Sequence, residues 1–259
     1  VVGLLLTAFV LCFFCLPAQA ETRPTDFNGD GFDDLAVGVH FEDFGDVKKA
    51  GAVNVFYGSV DGIATLNSRL FQQDSDGILG ISQRNDYFGR SLASGDFDGD
   101  GNYDLAVGIP GEKSGGKDGV GMVTVIYGTS KGLTHLDNQK WTQKYPDIKG
   151  QPAAGDSFGK SLAAGDFNGD GYDDLAIGSP CEDGGGFRNS GAVNVIYGSE
   201  DGLTSAGNQY WHQDKPGIKG MREPGDFFGN TLAAGDFDDD DYDDLVVGVS
   251  AEDVGTRRN

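Results

Sequence analysis

The sequence predicts an all-β protein, a β-propeller of blades with about four strands each, incomplete in this chain. Three observations predict it. A 70-residue repeat runs without insertions, short strand-like apolar runs are bounded by glycine, and each repeat carries an aspartate-rich loop at the same place.

The repeat is read from landmarks. Asp26-Phe-Asn-Gly-Asp-Gly-Phe-Asp-Asp-Leu35 returns at Asp96, Asp166 and Asp236, each 70 residues after the last. Phe88-Gly89, Phe158-Gly159 and Phe228-Gly229 keep the same step, as do Gly51, Gly121 and Gly191. So do Tyr57-Gly58, Tyr127-Gly128 and Tyr197-Gly198, and the aromatic series Phe71, Trp141 and Trp211. A step held this strictly makes each repeat one structural unit that buries its faces against its neighbours.

The third unit displays the elements in order. Residues 161–166 read as a first strand, 174–178 as a second, 192–197 as a third and 209–213 as a fourth. These runs are rich in β-branched and aromatic residues with turn formers between them, and no window sustains a helical period. Gly95, Gly165 and Gly235 suit tight packing of one blade on the next, or bulges. The aromatic landmarks, including Phe88, Phe158 and Phe228, recur in phase with strands and read as core. A β-solenoid is the competing architecture, but its coils are shorter than this step. Unit one lacks its first strand and unit four stops after two, so the strands run three, four, four and two. A closed propeller needs about four to eight full blades, so either the ends zip together into an unusually small ring or, the reading preferred, the sequence is a fragment of a longer protein.

The front of the chain differs from the rest. Gly3 to Leu16 is apolar and uncharged, Pro17 breaks it, and Ala18-Gln19-Ala20 is a small-residue cleavage pattern. Residues 1–20 therefore read as a secretory signal peptide and residues 21–259 as the repeat domain. The run is shorter than the roughly 20 residues a membrane span needs, so no span is expected in the mature chain. Cleavage leaves Cys181 as the one remaining cysteine, so packing and metal must supply what disulfides would. The formal net charge of −22 argues against nucleic acid or an anionic membrane surface as partner.

The acids are patterned for a cation. In the first loop Asp26, Asn28, Asp30 and Asp34 stand at positions one, three, five and nine, with the Phe32 carbonyl at seven. The second offers Asp96, Asp98, Asp100 and Asp104 with the Asn102 carbonyl. The third offers Asp166, Asn168, Asp170 and Asp174 with Tyr172, and the fourth Asp236, Asp238, Asp240 and Asp244 with Tyr242. Alternate oxygens turned inward by a curling backbone suit Ca²⁺, and three to four ions are expected. An EF-hand begins with similar spacing but needs Glu at position twelve, where this chain has Val37, Val107, Ile177 and Val247. Asp, Asn and Gly also form turns without any ion; four copies in phase argue against that plainer reading. Loop four departs from the others, since Asp239 and Asp241 replace both glycines.

Phe-Gly, then the Asp loop, then Gly-x-Pro (Gly108-Ile-Pro110, Gly178-Ser-Pro180) resembles the FG-GAP repeat of integrin alpha-chain propellers. Related repeats occur in bacterial surface proteins and in glycosylphosphatidylinositol-specific phospholipase D. The resemblance covers residues 26–259 and implies a propeller with calcium in the hairpin loops between first and second strands. It also implies partner binding on the opposite face. Gly38-Val-His40 and Gly248-Val-Ser250 lack the proline, and unit one has no Phe-Gly.

The expected function is a secreted or cell-surface calcium-binding module for adhesion, non-catalytic, with calcium structural. Its partner is expected to be an extracellular protein or glycan. His40, His135 and His212 share no phase, and Cys181 stands in no nucleophile signature. The alternatives are the propeller portion of a larger secreted hydrolase, phospholipase D-like, and a spacer in a surface array. Loops at 39–50, 109–120 and 179–190, with those at 74–87, 144–157 and 214–227, are the candidate partner-binding segments.

Overall fold

The computed structural model describes residues 25–253, and the expected signal segment at 1–20 lies outside them. Among the described residues, thirteen strands fall into four antiparallel sheets of three, four, four and two. The first blade holds β1 (Leu35–Val39), β2 (Ala52–Phe56) and β3 (Arg69–Phe71). The second holds β4 (Leu92–Gly95), β5 (Asp104–Ile109), β6 (Met122–Ile126) and β7 (Gln139–Trp141). The third holds β8 (Ser161–Gly165), β9 (Asp174–Ser179), β10 (Ala192–Tyr197) and β11 (Thr204–Trp211). The fourth holds β12 (Phe228–Gly235) and β13 (Asp244–Val249). Every sheet pairs its strands in sequence order, as an up-and-down meander.

The strand count per unit matches the sequence reading. The fourth strand of unit three does not, because it starts at Thr204 and ends at Trp211 rather than covering 209–213. Tyr197 pairs with Thr204 beyond an irregularity after Val195, so the hairpin stays paired nearly to its tip. His212 and Gln213 fall past the end, where His212 O accepts from Lys215 N in a turn.

Blades pack face to face, and each strand serves two neighbours. Leu105, Val107 and Ile109 on β5 join Val53, Val55 and Phe71 of the first blade in one core. Their neighbour Ala106 joins Phe158, Leu175 and Ile177 of the third blade in the next core. Side chains alternate across a strand, so a strand covered on both faces must be apolar at nearly every position. All six residues of β5 and of β9 are buried, as are all five of β6. Phe88, Phe158 and Phe228 are buried at the blade junctions, Phe71 and Trp141 are buried, and Trp211 is half-buried against the third core.

Glycine governs the junction itself. Gly51, Gly121 and Gly191 form parallel bridges to Phe88, Phe158 and Phe228 of the following blade. At Gly121, φ is +91° and a Cβ would lie 2.2 Å from the Phe158 carbonyl oxygen. No side chain fits there.

The antiparallel order places the loops. In the second, third and fourth blades the Asp loop joins the first strand to the second, on the same end as the loops joining third to fourth, and in the first blade it leads into β1. The loops joining second to third strands, and those joining one blade to the next, lie at the other end.

Candidate metal centre

Position one anchors each Asp loop. In loop one Asp26 accepts from Gly31 N at 2.8 Å, and in loop two Asp96 accepts from Gly101 N at 3.0 Å. In loop three Asp166 accepts from Gly169 N at 2.7 Å and Gly171 N at 2.9 Å. Position five then accepts from the N–H two residues on. Asp30 takes Phe32 N, Asp100 takes Asn102 N, Asp170 takes Tyr172 N and Asp240 takes Tyr242 N, at 2.8–3.1 Å. These short-range bonds curl the backbone into the same turn four times.

Loop four reaches that turn without glycine. Asp239 adopts φ of +64°, close to the +66° of Gly29 and the +69° of Gly99, and Asp241 adopts +69°, in the same left-handed region as Gly31 at +87° and Gly101 at +85°. Asp tolerates this left-handed region better than most side chains, because its short polar chain bonds locally.

Position nine does more than its spacing suggests. Asp104 is fully buried, with Oδ2 accepting from Phe97 N and Oδ1 from Gly128 N, each at 2.8 Å. Asp34 makes the same pair of bonds with Phe27 and Gly58, and Asp174 with Phe167 and Gly198. This aspartate therefore ties its loop to the end of the third strand. The Tyr–Gly landmark is explained from both sides. Gly58, Gly128 and Gly198 supply the donor, while the hydroxyls of Tyr57 and Tyr127 accept from Leu133 N and Leu203 N of the next blade, at 3.1 and 3.2 Å.

Convergence of carboxylates differs between loops. Oxygens of Asp96, Asp98 and Asp104 lie within 4.8 Å of one another, as do those of Asp236, Asp238 and Asp244. In loops one and three the third position is amide, and the Asn28 and Asn168 oxygens each accept from the position-five N–H at 2.9 Å. The carbonyls of Phe32, Asn102, Tyr172 and Tyr242 are assigned by spacing alone.

The electrostatics fit a cation. Burial pushes Asp104 up to about 9, with Asp98 and Asp96 adding to the rise against the hydrogen bonds from Gly128 and Phe97. Burial likewise raises Asp174 to about 7 and Asp34 to about 6. Asp98 is raised by burial and then by Asp100. Carboxylates held this close resist sharing negative charge unless a positive ion neutralises them. An all-oxygen, carboxylate-rich set suits a hard divalent cation rather than a soft one.

Position eight carries a role that spacing did not reveal. Asp173 Oδ2 accepts from Asp96 N at 2.8 Å, while Asp173 N donates to Asp96 O at 3.1 Å. Asp243 and Asp166 make the same two-point link, at 3.0 Å each way. Each Asp loop is thus clamped to the next one along. Tyr103 keeps only the backbone half, donating to Asp26 O at 3.0 Å. The tight packing expected of Gly95 and Gly165 follows from this clamp, since a Cβ would lie 2.9 Å from the Asp173 side chain and 2.4 Å from that of Asp243. Gly235 has no such neighbour, the nearest atoms being 3.6 Å away on Phe237.

A family model described as FG-GAP repeat matches residues 22–56, 88–126, 158–196 and 228–259, more than half of the chain. The chain belongs to the FG-GAP repeat family. Among curated relatives, integrin alpha-PS2 of Drosophila melanogaster is 31% identical over 236 residues, covering 88% of this chain and 15% of its own length. Phosphatidylinositol-glycan-specific phospholipase D of Rattus norvegicus is 36% identical over 156 residues, 60% of this chain and 18% of that protein. Integrin alpha-3 of Cricetulus griseus is 31% identical over 193 residues, 71% of this chain and 17% of that one. The chain spans less than a fifth of these relatives. Among solved structures, the rhamnogalacturonan lyase PL11 of Bacillus licheniformis aligns over 86% of this chain and 38% of its own, with TM-score 0.48 and 16% identity, too loosely to carry any argument.

The FG-GAP signature now has a physical meaning. Gly108, the first residue of Gly-x-Pro, accepts at its carbonyl from Gly89 N of its own blade at 3.2 Å. A Cβ on Gly108 would lie 2.1 Å from the carbonyl oxygen of Gly159 in the next blade. The two halves of the signature are the two halves of a blade junction.

Proposed function

We propose that this chain is a non-catalytic binding module of a secreted or cell-surface protein, stabilised by calcium. The observation that carries this reading is the carboxylate cluster of Asp96, Asp98 and Asp104 in a loop whose turn recurs in every unit. Asp26, Asp96, Asp166 and Asp236 would hold the ion from position one, and the residues at three, five and nine would complete the oxygen set. Calcium supplies positive charge and does no chemistry here. The loops at the other end of the blades face the partner. The apolar leader at residues 1–20 supports export, and no helix among the described residues is long and apolar enough to cross a membrane.

Thermal unfolding tests the reading directly. The melting temperature of residues 21–259 should rise steadily as calcium is titrated from ~0.01 to ~10 mM, across the affinity range of extracellular sites, and much less with magnesium. A cooperative melt indifferent to calcium would refute the metal assignment.

A second reading, the propeller portion of a larger secreted hydrolase, is favoured by the similarity to the rat phospholipase D. It predicts a catalytic domain in the same polypeptide, and sequencing the transcript on both sides of this segment decides the point.

A further inference from the structure

At the end of the blades opposite the Asp loops, several cations gather in one place. Two adjoining clefts of about 320 and 250 Å³ share Tyr87, Pro110 and Lys160 as their common wall. Arg84 and Lys113 line the first, while Arg90, His40 and Phe41 line the second. Asp118 is the sole acid lining either cleft, and it is held by Lys113 at 3.0 Å. The other ion pairs among the described residues, Lys48–Asp43 and Arg222–Asp214, lie elsewhere.

These cations press on one another. Burial, then Arg90, lowers the Lys160 ammonium. Burial, then Arg90 and Lys160, lowers His40, and His40 Nε2 lies 2.9 Å from the Arg90 guanidinium as a neutral acceptor would. Gathering like charges opposes folding, and Asp118, the acid in the lining, pairs with Lys113 and leaves Arg84, Arg90 and Lys160 with no acid in the cleft walls. An anion entering the clefts would relieve it instead, and Arg90 and Arg84 are built for paired contacts to an oxyanion.

The second cleft also presents rings. Phe41 is 61% exposed, tilted against His40 with ring centroids 4.2 Å apart and edge-on to Tyr87 at 5.8 Å. Tyr87 is pinned behind it, its N–H donating to Lys49 O at 3.1 Å. Spaces this small hold one or two rings rather than a folded surface. A ligand with flat apolar faces and anionic edges meets both features, whereas an aspartate or glutamate side chain supplies only the charge.

We propose that these paired clefts bind an acidic carbohydrate, its carboxylates taken by Arg90, Lys160 and Arg84 and its ring faces by Phe41 and Tyr87. The proposal rests on the reading of this end of the blades as the partner-binding face, and it names the ligand class. The acidic loops do not forbid it, because charge is screened beyond about 8 Å at physiological ionic strength.

Calorimetric titration of the whole chain, in calcium at physiological salt, tests it with three probes. A hyaluronan tetrasaccharide should bind, while its carboxyl-reduced neutral counterpart and a tetraglutamate peptide should bind at least tenfold more weakly. Arg90→Ala combined with Lys160→Ala should weaken the acidic sugar at least tenfold, and Phe41→Ala at least threefold. Melting temperatures of the variants in calcium, measured alongside, establish that they fold. No binding to the folded wild-type chain overturns the proposal, and so does binding unchanged in folded variants. Equal binding of tetraglutamate overturns the carbohydrate in favour of an acidic peptide. Failure here beside a calcium-dependent melt leaves the calcium module standing; a melt indifferent to calcium beside sugar binding does the reverse.

Discussion

Asp98 and Asp104 sit in one carboxylate cluster and do different work. Asp104 is buried and joins two segments through Phe97 N and Gly128 N, whereas Asp98 is only half-buried and accepts locally, from Asp100 N. Asp104→Ala would leave two buried donors unpaired, each worth about 1–3 kcal/mol. It should therefore lower the melting temperature in chelator and in calcium alike. Asp98→Ala with Asp100→Ala should lower it only in calcium and reduce the bound ions by one, counted by equilibrium dialysis. An unchanged stoichiometry would sink the ligand assignment. The glycines separate in the same manner. Gly121→Ala places a Cβ 2.2 Å from a neighbouring carbonyl at φ +91° and should cost about 3 kcal/mol or more in chemical denaturation. Gly115→Ala, at φ +60° with nothing within 4 Å, should cost about 1 kcal/mol.

At the scale of elements, the connections between blades hold buried acids that lie outside the Asp loops. Asp86 is fully buried, accepts from Gln83 N at 2.5 Å, and burial raises it to about 7, with Glu112 and Asp74 adding and Lys113 opposing. Asp156, one period on, is raised by burial and then by Glu182 and Asp183. A carboxyl raised on folding holds its proton in the native state at pH values where the unfolded chain has lost it. Its contribution is complete below the unfolded value near 3.8 and is lost as pH climbs through about 7. Asp86→Asn keeps an oxygen for Gln83 N and fixes the uncharged form. In chelator it should raise the melting temperature at pH 8 by about 2–4 °C and leave it unchanged at pH 4. Much of the blade was legible in the sequence, because a strict step of 70 residues exposes strand order and loop position together. The clamp from Asp173 to Asp96 was not, since its partners are 77 residues apart and only the packing of one blade on another joins them. Asp at 33, 173 and 243 against Tyr at 103 was the available signal. The cationic clefts escaped for a related reason. Arg90 and Lys160 are one period apart and follow the Phe-Gly pair, but Arg84, Lys113 and Phe41 recur nowhere in phase.

The whole molecule is a row of blades in which stability is a sum of units and junctions. Leu35 and Val37 on β1 are 45% and 39% exposed, while their counterparts one period later, Leu105 and Val107, are buried. Phe237 is 62% exposed where Phe97 is buried. The interior faces are thus covered by neighbours, and the faces at both ends of the row are those that elsewhere meet another blade. Removing residues 96–165, one full period, rejoins equivalent positions and should leave a chain that still melts cooperatively in calcium, at a lower temperature and with at least one ion fewer. Loss of all cooperative melting would show that the blades are not interchangeable. The junction made by Gly51, Gly121 and Gly191 gives this a reach beyond stability. The bridge itself is written in main-chain atoms, so that contact is the same whichever blade precedes it. Slippage or unequal exchange between copies of such a gene adds or deletes whole blades and leaves every seam intact, so the length of the row can drift while its grammar stays fixed.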